Sequence, residues 1–540
     1  MALNLRSRKF SSETNSLLSL LVVLTTLIIL AFLSENYFHF RLDLTESKEY
    51  TLNKASVQTL SNLPDPVKIK VVISSELPTQ FVQIKTRVTD LLNEFEASAK
   101  GKVEVELLNP GLNEDNKKQA LQLGIQEVQM QEQSRQGVEV KKGFFGLALT
   151  YGDKKEVIPI LANIENFEYD LIVKIKKLTG QIKTLAVFEG GPGRQFSFSL
   201  PGNPPQTRIG FNDNFPATKT ELEKLYNIQN TDLSNPLDTN IDLLMVVAPT
   251  QMTEVEKFHL DQFVMRGKSV LFMTPGINVS LAMGLQASPA QNGYEDLLKT
   301  YGLGVQPNVI LEDRQFQDVP FGGSFFPVPY PYWIVVAGKG LSNKSAITSN
   351  LGALALPWTS SIEVDPSDKS IEVLATSTPG SWSEQGNFNL APRELGQYVP
   401  VAQKTHPLAV IKTGTFKSAF ATQVPSDTLL RPYLTSLLTQ SQKESRILLI
   451  GNVLFATDFY LSLMRTAPNM GFLLNAVDQL ALGPELIKIR SRTLENRTIP
   501  ESFKEKKIWV VLANMLTAPF ILLGIGIFLG IRRKNRDAQT

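Results

Sequence analysis

Residues 241–248 read Ile-Asp-Leu-Leu-Met-Val-Val-Ala, an apolar run interrupted by a single carboxylate. A strand with one face in water alternates polar and apolar residues, whereas a strand covered on both faces can be apolar throughout. The run therefore predicts a central strand with a layer packed on each side. Upstream, Thr184 to Glu189 reads as a second strand, ending in Gly190-Gly191-Pro192-Gly193-Arg194, and Thr220 with Glu223 reads as a capping box. Downstream, Thr253 with Glu256 is another capping box, opening a helix to about Arg266. Strand Ser269 to Met273 and helix Tyr294 to Tyr301 follow. After a long interruption, Arg446 to Ile450 (RILLI) is again a buried strand and Gly471 to Leu482 a helix. This alternation predicts a doubly wound parallel-sheet domain over residues 181–500. The interruption, about 310–440, is rich in Pro, Gly, Ser, Thr and aromatics. With short alternating segments such as Ser361 to Val364 and Ser370 to Leu374, it predicts a β-rich insertion.

Residues 41–180 carry a different pattern. Asn53 or Thr51 caps a first helix, and Val67 to Ile73 (VKIKVVI) alternates as a strand. Phe81, Ile84, Val88, Leu91, Leu92 and Phe95 fall on one helical face between Gln80 and Lys100. Strand Val103 to Leu108 and helix Asn113 to Leu123 follow. A hairpin then turns at Tyr151-Gly152-Asp153-Lys154, and a helix spans Glu165 to Leu178. The order βαβαββα predicts a thioredoxin-like domain. Its redox position reads Ser74-Ser75-Glu76-Leu77-Pro78, and the chain has no cysteine, so thiol chemistry is excluded.

Two apolar runs, Leu17 to Leu33 and Ile508 to Ile531, lie near the ends. The second is long enough for a membrane helix of about 20 residues, and the first is so with Ser16 and Ser34 at the interfaces. Arg6, Arg8 and Lys9 precede the first; Arg532, Arg533, Lys534 and Arg536 follow the second. Positive flanks stay in the cytoplasm. The expectation is a bitopic hairpin in the inner (cytoplasmic) membrane, with spans at 17–35 and 508–531. Its tails, 1–16 and 532–540, would be cytoplasmic and its large region periplasmic, with 501–507 as a charged linker. A cleaved signal peptide would have a shorter apolar core and an A-x-A site, which is missing. Asn514 and Thr517, with the Gly526/Gly530 GxxxG, are candidates for packing against another membrane helix.

The formal net charge is +2, and the terminal basic clusters more than account for it, leaving the middle slightly acidic. No basic field attracts nucleic acid. The three histidines, His39, His259 and His406, are far apart, and no HExxH or G-x-S-x-G occurs, so neither metal nor cofactor is expected. Gly267-Lys268-Ser269 resembles the end of a phosphate loop, but position 262 is Gln where that loop needs Gly. The chain thus lacks an ATPase signature. Gly190, Gly191, Gly193 and Arg194 are candidates for holding an anion at the carboxyl edge of the parallel sheet, with a plain turn as the alternative. Phe321 to Trp333 (FGGSFFPVPYPYW) is the densest aromatic run. Its rings either bind a sugar or a partner, or pack in the core.

Several segments, taken in order, resemble the Gldg family of gliding-motility-type auxiliary components of ABC transporters. They are Arg41-Leu42-Asp43-Leu44-Thr45, Gly143-Phe144-Phe145-Gly146-Leu147, Tyr169-Asp170-Leu171, Asp261-Gln262-Phe263-Val264, Pro407-Leu408-Ala409-Val410 and Asn475-Ala476-Val477-Asp478. The resemblance implies an intraflagellar-transport-like second domain and partnership with an ABC permease and a cytoplasmic ABC ATPase. It supplies no catalytic residues. The expected function is a non-enzymatic, substrate-binding-like subunit of an export complex, linked to gliding motility, an envelope polymer or a periplasmic protein. The alternative is a membrane-anchored periplasmic enzyme acting on envelope polysaccharide. In the first reading Arg194, Tyr330, Tyr332 and Trp333 line one cleft.

Overall fold

The computed structural model describes residues 51–482 apart from 135–136, 162–163, 165, 192, 196, 199–207, 281–284, 320–326, 387, 423–424 and 465–467. Beyond these it describes residue 25 and residues 515–517, 520, 524 and 526. The chain divides into two compact units, residues 1–492 and 493–540.

The first unit holds two sheets. The smaller is built from β1 (Val67–Ile73), β2 (Val103–Leu108), β3 (Phe145–Tyr151) and β4 (Lys154–Ile158), in the order β2-β1-β3-β4. β1 and β2 are parallel, while β3 runs antiparallel to both β1 and β4. α1 (Lys54–Ser61) precedes β1, α2 (Thr79–Ser98) and α3 (Glu114–Leu123) follow β1 and β2, and α4 (Phe167–Leu178) follows β4. The Asn53 side chain accepts from Ala55 N–H and caps α1. Val88, Leu92 and Phe95 on α2 are buried together with Val67, Ile69 and Val71 of β1. Ala120 of α3 packs with Val72 and Ala148 on the opposite face. The sequence pattern omitted the hairpin of Val128–Ser134 and Gly137–Gly143 that precedes β3.

The larger sheet has seven strands. They are β5 (Lys183–Phe188), β6 (Tyr226–Thr231), β7 (Ile241–Val247), β8 (Ser269–Met273), β9 (Ile371–Thr376), β10 (Pro407–Gly414) and β11 (Ser445–Ile450). Their order is β6-β5-β7-β8-β11-β10-β9. The first five in that order are parallel, and β10 and β9 add antiparallel to the far side. The opening run behaves as its composition demands. Leu243, Met245 and Val247 face one apolar layer, and Leu244 and Val246 face the other. Burying each such side chain contributes about 1.5–3 kcal/mol, which pins the register on both faces.

Local signals divide into those that hold and one that does not. At α5 (Glu254–Met265) the capping box forms, with Thr253 Oγ1 accepting from Glu256 N–H and the Glu256 carboxylate accepting from Thr253 N–H. At Thr220 it does not. That helix begins at Pro216, and Thr220 Oγ donates back to the Pro216 carbonyl. Proline at the first helical position, with its preset φ, fixes the earlier start.

The α/β class stands, but the expected pair of membrane-spanning helices is corrected. No helix of the described residues is long and apolar enough to cross a membrane. The longest, α2, has 20 residues, and it carries Lys85, Arg87, Asp90, Glu94 and Glu96 along its length. The inner-membrane hairpin with a periplasmic middle rested on those spans and falls with them. Residues 17–35 and 508–531 lie almost wholly outside the described residues, as do Asn514 and Gly530. Thr517 and Gly526 are helical and exposed.

Candidate functional site

Taken in chain order, the five parallel strands of the large sheet are arranged 2-1-3-4-5. Connections leave β5 and β7 toward opposite sides, and in such sheets a crevice opens beyond the carboxyl ends of those two strands. A cavity of about 220 Å³ lies along that edge. Ala248 and Thr250 follow β7, Pro275 follows β8 and Asn452 follows β11. Gln195 comes from the glycine loop after β5, and Trp358 from the inserted β-rich segment.

Two glycines let the insertion reach the edge. Ser360 N–H donates to the Gly451 carbonyl (2.9 Å), and Gly276 N–H donates to Ser360 Oγ (3.0 Å). Ser360 Oγ in turn donates to the Asn308 carbonyl at 2.6 Å. A Cβ at Gly276 would stand 2.0 Å from the Gln306 carbonyl oxygen, and one at Gly451 2.1 Å from that of Ser360. Backbone thus crosses backbone with no room for a side chain. The crossing aims Trp358, whose N–H donates to the Tyr332 carbonyl at 2.9 Å, while Asn452 Nδ2 donates to the Pro357 carbonyl at 2.6 Å. Trp358 (φ 50°), Ala248 (φ 41°) and Gln251 (φ 50°) all adopt the left-handed region. Such conformations cost about 1–3 kcal/mol each, and they cluster where a surrounding structure over-determines them.

Arg194 sits beside this cavity with its charge already engaged. Its guanidinium donates to both oxygens of Glu256, at 2.5 and 2.9 Å, and to the Gln251 carbonyl at 2.9 Å. Burial alone would raise the Glu256 carboxyl, but the hydrogen bonds from Arg194 and Thr253 outweigh it and hold the group below its ordinary value. Thr250 N–H and Oγ both donate to the Arg194 carbonyl. Gly190 is needed for that turn, since a Cβ there would stand 2.6 Å from the Arg194 carbonyl oxygen; a Cβ at Gly191 would meet the Arg194 guanidinium at 2.6 Å. Gly190 and Gly193 also have positive φ. Glu189, the remaining carboxylate on the loop, accepts from Phe211 N–H.

The aromatic residues take a different place. Tyr330, Tyr332 and Trp333 are buried in the hydrophobic core. Tyr330 hydroxyl donates to the Leu390 carbonyl (2.6 Å) and accepts from Trp358 Nε1 (2.9 Å). Tyr332 hydroxyl donates to Glu384 at 2.8 Å. Burial pushes both phenols above their usual range. Trp333 packs edge-on against Trp358, ring centres 5.1 Å apart. Of these aromatic residues Trp358 is the one that lines the cavity; it is itself buried, with the other three packed around it. Sequence reasoning missed Trp358, Gln195 and Asn452. The available signal was the Gly that follows three of the buried strands, at 190, 276 and 451.

Two other concavities differ in chemistry. A groove of about 480 Å³ at the carboxyl ends of β1 and β2 includes Ser74, Ser75, Glu76, Lys117 and Lys142. Phe144 N–H donates to Ser74 Oγ there, and Asn109 Nδ2 to Ser75 Oγ. At the junction of the two sheets, the buried Asp478 carboxylate accepts from Tyr169 (2.6 Å) and from Tyr226. Among the described residues no group of three or more His, Asp or Glu side chains is arranged to hold a metal ion. His259 and His406 are buried, and each leaves Nε2 without a partner among the described residues. Burial, with Arg266 near the first and Lys404 near the second, pushes each down to about 4.

The edge just described lies within a recognised family segment. The model of the family described as "ABC-type uncharacterized transport system" matches residues 184–476, just over half the chain. The chain belongs to that family. A domain of unknown function matches residues 46–150, across most of the smaller sheet. An uncharacterised protein of Borreliella burgdorferi is 22% identical over 97% of this chain and 100% of its own length. A ThuA-like protein from Bacteroides uniformis, known as a crystal structure, is similar over 57% of this chain and 96% of its own. Its identity is 12% and its TM-score 0.30, too distant to bear on the fold or the site.

Proposed function

We propose that this family member is a non-enzymatic auxiliary subunit of an ABC transport complex, binding cargo or a partner beside a permease and a separate ATPase. The carrying observation is the family match over the whole large sheet, joined to a sequence without a nucleotide-binding loop. The carboxyl-edge cavity supports a binding role, since its described wall consists of neutral side chains. Cleavage of a glycosidic bond uses two carboxyl groups about 5–9.5 Å apart across the bond, and no carboxylate lines this wall among the described residues. A link to gliding motility or to an envelope polymer belongs to this proposal as its finer part. Affinity purification of the tagged chain from its own cells should bring down a multi-span permease and an ABC ATPase together. Recovery of the chain alone in repeated experiments would overturn the reading.

A further inference from the structure

We infer that the carboxyl-edge cavity takes a neutral, hydroxyl-rich ring the size of one sugar unit, and that the Arg194–Glu256 pair is what makes the site neutral. This deepens the binding-subunit reading and rests on it. Three observations converge. The first is charge. Arg194, the one cation on the glycine loop, gives both arms of its guanidinium to Glu256, whose side chain is 6% exposed. An anionic ligand would have to break a partly buried, two-bonded pair to recruit it, at a cost of several-fold or more in affinity. Nucleotides and phosphorylated ligands are disfavoured for that reason.

The second is size. Cavities for drug-sized ligands run about 300–1,000 Å³, and this one is about 220 Å³. One ring fits; a dinucleotide does not. The third is the character of the wall. Gln195 and Asn278 bring amide groups, which both donate and accept, as sugar hydroxyls do, and Thr250, its proton given to the Arg194 carbonyl, brings a hydroxyl acceptor; the Asn452 amide is spent on the Pro357 carbonyl and Phe455 N–H and serves as wall. Ile277 and Trp358 provide an apolar flank for the C–H face of a ring. Gln195 is held in place through its neighbour: Arg194 is anchored at its guanidinium by Glu256 and at its carbonyl by Thr250. Gln195 Oε1 also accepts from Gly193 N–H.

The test uses the full chain and measures tryptophan fluorescence and titration heat. D-glucose, N-acetylglucosamine and D-galactose serve as neutral probes, glucose 6-phosphate and inorganic phosphate as anionic ones. At least one neutral sugar should saturate with a fluorescence change, and glucose 6-phosphate should bind at least tenfold more weakly than glucose. Gln195→Ala and Asn278→Ala should each weaken the sugar at least fivefold with circular dichroism and melting unchanged. Trp358→Phe should remove most of the fluorescence change; should it fail to fold, the Gln195 and Asn278 variants decide alone. Absence of saturation by all three sugars, equal or tighter binding of the phosphorylated form, or unaltered affinity in both amide variants would each overturn the inference. Copurification of permease and ATPase with the unmodified chain and with Gln195→Ala separates the two readings. Partners retained by an unmodified chain that no sugar saturates sinks the ligand assignment only, partners lost from the unmodified chain sinks the subunit reading, and Gln195→Ala should keep the partners while its sugar affinity falls.

Discussion

The molecule has two places where parallel strands end side by side, and it finishes them differently. At the ends of β1 and β2 the edge is open, about 480 Å³ of polar groove with Glu76, Lys117 and Lys142 facing water. At the ends of β5, β7, β8 and β11 a crossing segment at 357–361 closes the edge down to about 220 Å³. There the wall is neutral and three non-glycine residues hold left-handed backbone. The first edge is surface that tolerates change. The second is built, and the energy that holds its strained residues comes from the surrounding hydrogen bonds and close backbone contacts.

That contrast can be broken most severely at the glycines. Gly451→Ala places a Cβ about where the Ser360 carbonyl already is. Forced overpacking costs about 1–3 kcal/mol and sometimes more, and backbone on both sides leaves nothing to yield, so a loss of about 3 kcal/mol or more in urea unfolding is expected. Gly111→Ala at the open groove meets only side chains, Asn109 at 3.3 Å and Ser75 at 3.9 Å, and should cost under about 1 kcal/mol. Equal losses at the two positions would erase the distinction.

Glu256→Gln comes next. It removes the charge facing Arg194 and weakens the α5 cap together. Breaking a buried pair costs about 3–5 kcal/mol, and the partial exposure of Arg194 reduces that to about 2 kcal/mol, read as a shifted urea midpoint with unchanged slope.

The two buried histidines sharpen the comparison through pH. Their folded values near 4 lie below the ordinary 6.5. Between those limits the unfolded chain binds protons that the folded chain refuses, so stability falls as pH drops from 6.5 to 4. Each contributes at most about 3 kcal/mol over that window. The His259→Gln, His406→Gln double variant should flatten the stability profile there, and an unchanged slope would show that other groups set it. The smallest effect belongs to the open groove, where Lys142→Ala should move stability by no more than about 0.5 kcal/mol.

What the sequence made legible follows from period and burial. Continuous apolar runs at 241–248, 269–273 and 446–450 are strands because both of their faces are covered, a condition written into composition alone. The hairpin at 128–143 escaped notice because VQMQEQS is polar, and its pairing depends on backbone bonds rather than on an apolar face. The candidate site was half legible. The glycine loop pointed to the right edge, since Gly190 is there for a turn. Whether Arg194 was free depended on Glu256, 62 residues away, and that pairing has no local signature. Likewise nothing in a Pro-rich aromatic run says which ring stays at a surface. Tertiary packing buried Tyr330, Tyr332 and Trp333, and it is Trp358, outside that run and itself nearly buried, that lines the cavity.

The account depends most on the 357–361 crossing being part of the cooperative core rather than a loop resting on the sheet. Residue-resolved hydrogen exchange tests this directly. The Trp358 and Ser360 amides, bonded to the Tyr332 and Gly451 carbonyls, should exchange only through global unfolding, with the same free energy as amides inside β8. The Ser75 and Glu76 amides at the open groove should exchange orders of magnitude faster. Exchange of Trp358 and Ser360 by local opening, at rates like those of Ser75 and Glu76, would contradict it.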